Sequence, residues 1–219
     1  MKKEGLYTWK RYLLIAVLAL FVLVLGAVLE RAWRTTPEVH YDLGMQLLRE
    51  HEVEKALPHF LIANKSKYPS FKSFSAYQLA RIYSKGGNGV SVNMQKAVYY
   101  YEQAAKMKMP KAQYELALLY DVGDKVPENR GKAIALMIDA AKILPEAKYA
   151  LAVWIERGYF GPPNQAWAVA LYEQAAHEGI TNAMKSLISI YHGGYGRFPE
   201  NIRREHYWRR RLEGKKHVS

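Results

Sequence analysis

A residue pattern that returns every 35–37 positions constrains this chain more than any other feature. Leu79-Ala80, Leu116-Ala117 and Leu151-Ala152 are followed by Leu187-Ile188, at steps of 37, 35 and 36 residues. Ala97, Ala133, Ala168 and Arg204 form a second column with steps of 36, 35 and 36, and Ala104-Ala105, Ala140-Ala141 and Ala175-Ala176 form a third. Three columns keeping one period mark an internal repeat. A unit of this length cannot bury its apolar face alone and must stack on its neighbours.

Each unit reads as two helices joined by a Gly-containing loop. Ala112 to Tyr120 (AQYELALLY) has the apolar period of a first helix, and Lys132 to Ala141 (KAIALMIDAA) that of a second. Alanine at the recurring positions lets the two backbones approach closely. Asn93, Asn129 and Asn164 each stand just ahead of a second helix, where a side-chain oxygen can accept the free N–H groups of the first turn. Gly86 and Gly123 fall where first helices must stop.

These residues resemble the Sel-one-like repeats (SLR), a branch of the tetratricopeptide superfamily. Tyr120, Gly123, Val126, Asn129, Lys132-Ala133 and Ala140-Ala141 carry the likeness. Tyr83, Gly86, Gly89, Val90, Asn93, Lys96-Ala97 and Ala104-Ala105 repeat it with one extra loop residue. The next repeat departs with Ile155 for the tyrosine and Trp167 for the lysine, and the last with Arg197, Glu200 and Arg203-Arg204. Upstream, Leu43-Gly44, Leu47, Ala56, Phe60 and Ala63 have the spacing of a plain tetratricopeptide motif. There Pro58 must sit in the first turn of the second helix or kink it. The resemblance implies an all-α fold, a right-handed α-solenoid of five hairpins over residues 37–213. They divide at about 37–72, 73–109, 110–144, 145–180 and 181–213, and a basic tail follows at 214–219.

Ahead of the repeats, Tyr12 to Leu29 is eighteen residues without a charge, which as a helix spans about 27 Å of a ~30 Å hydrocarbon layer. Trp9, Tyr12 and Trp33 stand at its borders, where amphipathic rings prefer the headgroup level. Lys2, Lys3, Lys10 and Arg11 precede it, against Arg31 and Arg34 after it. The expectation is a transmembrane signal anchor at 12–29, a basic cytoplasmic segment at 1–11 and a linker at 30–36. The competing expectation is a signal peptide cut before Ala27, but the apolar run exceeds the usual core of about 7–15 residues. In a bacterium, the charge bias places the repeats in the periplasm and the anchor in the inner membrane.

Chemistry is sparse. The chain has no cysteine, which excludes a disulfide framework, a thiolate metal site and a cysteine nucleophile. The glycine-rich SKGGNGV (Ser84 to Val90) joins two helices of one repeat and has no strand before it, so it is not a phosphate cradle. Glu173 and His177 are spaced i,i+4, and Asp121 and Asp124 flank Gly123. Neither pair supplies the geometry or water-excluding pocket of a hydrolase. No catalytic residue, cofactor or metal is expected.

The chain carries a net +12, and +9 of this falls after the anchor. Its densest part is the C-terminal end, where Arg203, Arg204, Trp208 and Arg211 form a secondary candidate surface for an acidic partner. The same charges also suit a solvated end that caps the array. Nucleic acid is not an expected partner. The resemblance implies that first helices line an inner groove, and it carries groove positions over to Tyr77, Tyr114, Tyr149 and Lys185, with Arg81 and Lys85 beside them. The function that follows is a membrane-anchored scaffold holding other proteins by segments or domains. The alternative is an integral accessory or regulatory subunit of an envelope machine serving secretion, motility, polysaccharide or cell-wall assembly.

Overall fold

The structure, a computed structural model, describes residues 16–28, 30, 36–196 and 198–216. Among them all regular structure is helical. Helix α1 covers 16–28. It is followed by α2 (Pro37–Arg49), α3 (Val53–Ala63), α4 (Pro69–Lys85), α5 (Met94–Lys106), α6 (Pro110–Val122), α7 (Arg130–Ala141), α8 (Pro145–Glu156), α9 (Gln165–His177), α10 (Thr181–Gly193) and α11 (Ile202–Lys216). α2 packs on α3, α6 on α7, α8 on α9 and α10 on α11, the helix pairing expected of an α-solenoid. The chain divides into two compact units, residues 1–92 and 93–219.

In the first unit, α2 packs on α3 because Gly44 leaves room for it. A Cβ at Gly44 would stand 2.9 Å from the Phe60 ring, which is fully buried. Tyr41 meets Phe60 and Phe71 edge-on at 5.9 and 6.0 Å. Pro58 lies inside α3 rather than in its first turn, and the helix continues to Ala63. Its ring withdraws one N–H from the helical ladder. The described side chains of α1 are exposed, Leu20, Phe21 and Leu23 among them. No helix among the described residues is long and apolar enough to cross a membrane. The span expected at 12–29 begins and ends outside those residues, as do Trp9 and Trp33.

In the second unit, each helix from α5 to α11 packs on the next. Pro110 and Pro145 open α6 and α8, where the missing N–H costs nothing. The three asparagines cap as expected: Asn93, Asn129 and Asn164 accept from the backbone N–H of Lys96, Lys132 and Trp167 at 2.9, 3.0 and 3.1 Å. Asn201 does the same for α11, accepting from Arg204 at 3.1 Å. Aligned on these caps, the alanine column runs Ala97, Ala133, Ala168, Glu205, so Arg204 belongs with Lys96, Lys132 and Trp167. The sequence alignment slips there because the loop before Asn201 has the same extra residue as the loop before Asn93. Both long loops close in the same way, by paired backbone bonds between Gly87 and Val90 and between Tyr195 and Phe198.

The column alanines are buried, with Ala97, Ala117, Ala133, Ala140 and Ala168 all at 0% exposure. Glu205 is buried in their place, and it is held by the Arg209 guanidinium and by His192 Nδ1 at 3.2 Å. Those two partners keep its carboxyl below the usual carboxylate range.

A three-residue contact recurs between successive repeats. The Tyr120 hydroxyl on α6 donates to Glu102 on α5 at 2.8 Å, and the Lys132 ammonium on α7 lies 5.3 Å from the Tyr120 ring centre. The Tyr191 hydroxyl on α10 donates to Glu173 on α9 at 2.8 Å, with the Arg204 guanidinium of α11 5.3 Å from its ring centre. At the equivalent positions of the junction between them stand Ile138 of one repeat and Ile155 and Trp167 of the next. The two departures noted in that repeat, Ile155 and Trp167, therefore belong to one change. Tyrosine, acid and cation are replaced together by apolar side chains, which avoids leaving a carboxylate without its donor.

Candidate functional site

The first unit holds a cleft of about 330 Å³ between the consecutive first helices α2 and α4. Met45, Leu48 and Ile82 give it an apolar lining, and Arg49, Arg81 and Lys85 bring three cations to it. No carboxylate lines it. Arg81 is oriented by Gln78, to which it donates at 3.3 Å, and by the Tyr77 ring, whose centre lies 5.7 Å from its guanidinium carbon. Of the groove positions drawn from the resemblance, Arg81 and Lys85 thus line this cleft. Tyr77 supports Arg81 from behind. Met45, Leu48 and Arg49 were missed, since the spacing of α2 marks an apolar face without showing that α4 leaves a gap beside it.

The remaining groove positions lie in the second unit, on α6, α8 and α10. Tyr114 is half-buried, and burial, with Glu115 and Glu146 nearby, holds its hydroxyl above the ordinary range. Glu146 stands on α8, so Tyr114 faces the next first helix. Tyr149 is also half-buried and packs on Tyr172 of α9, ring centres 5.7 Å apart. Lys185 is exposed. These side chains are not gathered into one described cleft.

A second cleft, of about 420 Å³, opens between the second helices α5 and α7 over α6. Its apolar floor includes Leu116 and Leu136, and Lys106, Lys132, Glu102 and Asp139 stand around it. The acids are already engaged, Glu102 by Tyr120 and Asp139 by Lys142 at 2.6 Å. Burial, reinforced by Glu102, pushes the Tyr120 hydroxyl up to about 12.

At the C-terminal end the expectation needs correcting. Trp208 is 2% exposed, and it packs against His177 and Tyr207 with ring centres at 4.8 and 4.9 Å. It is the core anchor of α11 and cannot serve as a surface contact. Its burial follows from the α11 face it shares with Glu205, which arginine density in the sequence conceals. Arg203, Arg204 and Arg211 are exposed. Arg204 is committed to Glu173 at 2.7 Å and Arg211 to the Tyr207 hydroxyl at 3.3 Å.

One further pair lies in the first repeat, where His40 Nδ1 on α2 and His59 Nδ1 on α3 are 2.8 Å apart, within hydrogen-bond distance. Burial, then the neighbouring His40, holds the His59 imidazole below its ordinary value of 6.5. The folded state therefore resists a proton that the unfolded chain accepts. Stability should be fully present above the unfolded value and decline as pH falls through 6.5 toward the lower folded value. Thermal unfolding followed between neutral pH and pH about 5 should show a steeper loss for the natural chain than for His59→Asn. Parallel profiles would remove the pair from the account.

Comparison with known proteins agrees with this architecture. Residues 73–109, 110–142 and 145–180 match the family described as Sel1 repeat. A Sel1 repeat protein from Oxalobacter formigenes superposes with a TM-score of 0.73 at 22% identity, covering 84% of this chain and 75% of that one. A protective antigen of uropathogenic Escherichia coli strains, displaying an SLR fold, superposes with a TM-score of 0.62 at 18% identity over 84% of this chain. The match covers 47% of that antigen, so the chain spans about half its length. No curated protein matches the chain.

Proposed function

Because the chain is a Sel1-like repeat protein, a class of protein-interaction scaffolds, we propose that it is a membrane-anchored adaptor that holds a partner protein on the first-helix side of its repeats. The observation that carries this is the cleft between α2 and α4, which combines an apolar lining with three cations and no acid. Stacked hairpins present such clefts as continuous docking surfaces. The uncharged stretch 12–29 supports anchoring, and the basic residues before it support an inner-membrane protein with the repeats in the periplasm.

One experiment tests adaptor and topology together. A membrane-impermeant lysine cross-linker applied to intact spheroplasts should join the repeats to a partner protein, and Arg81→Glu or Tyr114→Ser should reduce the yield while the domain stays folded. Cross-links that form only after lysis would overturn the topology. Their absence even after lysis would overturn the adaptor.

A further inference from the structure

The cleft between α2 and α4 also specifies the chemistry of what it holds, and this inference rests on the adaptor reading above. Arg49, Arg81 and Lys85 approach it from two helices. None of the described acids of the same unit lines it, Asp42 of α2 included; Glu50 accepts from Gln46 at 2.9 Å, and Glu52 pairs with Lys55 at 2.5 Å. Glu54 lies against Gly89, where a Cβ would collide with its carboxylate. Glu38 accepts from Ser66 at 3.3 Å. Three positive charges thus converge on an apolar floor without a neutralising partner. A surface of that kind attracts opposite charge and repels a basic segment, while a neutral one leaves its cations unmatched.

The apolar part narrows the occupant further. Met45, Leu48 and Ile82 form a patch that water covers poorly, and a purely charged ligand would leave it wet. A phosphate backbone places its charges at the surface without an apolar group between them. An amphipathic protein segment supplies both: carboxylates for the cations and one large apolar side chain for the floor. Met45 adds an adaptable surface that takes side chains of different shape.

We infer that the occupant is an acidic amphipathic segment of the partner protein, bearing at least two carboxylates within one helical turn of a large apolar residue. Its carboxylates meet Arg49, Arg81 and Lys85, and its apolar residue seats on Met45, Leu48 and Ile82.

Site-specific photo-cross-linking of the full chain in native membranes tests this. The photoreactive residue is placed at Lys85, with a second probe at Lys185 on α10, and cross-linked segments are sequenced by mass spectrometry. The Lys85 probe should join a segment of the stated composition. Its yield should fall about tenfold or more in Arg81→Glu, recover in Arg81→Lys, and decline as salt rises. A Lys85 cross-link to a segment without carboxylates, or to anionic lipid or nucleic acid alone, would overturn the inference and leave the adaptor standing if Lys185 still captures protein. Failure of both probes to capture any protein would overturn the adaptor reading and this inference with it.

Discussion

Replacing Trp208 by alanine should destabilise the second unit by about 3–5 kcal/mol, the range for removing a large aromatic side chain from a packed core. The indole is 2% exposed and bears on His177 at the end of α9. It is therefore the main apolar tie between α11 and the repeat before it. Urea unfolding of the natural and substituted chains measures the loss, and Trp208→Phe should recover much of it because a ring still fills the site. An unchanged midpoint for Trp208→Ala would mean that α11 is not docked by this side chain. The C-terminal arginines would then again be candidates for a free surface.

Ala117→Leu and Ala140→Leu should each cost about 1–3 kcal/mol or more, because both positions are fully buried where helices of one hairpin meet. α6 and α7 are close at these points because alanine has nothing beyond Cβ. A leucine must either push the backbones apart or take an unfavourable rotamer. Exposed Tyr99 on α5 is the control, and substitution there should change little. Unaltered thermal midpoints for both alanine variants would show that the columns do not mark helix contacts.

Most of this fold is written in local chemistry, and for that reason it could be read from the chain. A fixed period forces stacking, asparagine at a helix start satisfies free N–H groups, and alanine marks close approach. The errors arise where a long-range relation decides. Counting residues puts Arg204 in the alanine column, because a count cannot see an extra residue in a loop. The cap bond from Asn201 fixes the register at once. The arginines around Trp208 give its stretch the composition of a surface, although the indole itself is buried against His177 of α9. Tyr114 and Tyr149 share a register position, yet their surroundings differ: Tyr114 is half-buried with Glu146 of α8 nearby, and Tyr149 packs on Tyr172 of α9. Register says which side of a helix a residue occupies. It does not say how far the next helix covers that side, and the cleft beside Arg81 depends on that coverage.

The alternation of Glu102, Tyr120 and Lys132 with Ile138, Ile155 and Trp167, and then with Glu173, Tyr191 and Arg204, has a consequence for how such an array can grow. The three junctions from α5 to α11 come in two kinds, one polar and one oily, and a polar face does not fit an oily one. Loss of the single hairpin 110–144 would set the Glu102 face of α5 against the Ile155 face of α8, stranding a carboxylate beside isoleucine. Loss of two successive hairpins would bring Glu102 to Tyr191 and restore a matched seam. Repeats that look interchangeable in the alignment are thus ordered like words in a sentence. Duplication and deletion within this stretch should be tolerated more readily in pairs than one at a time.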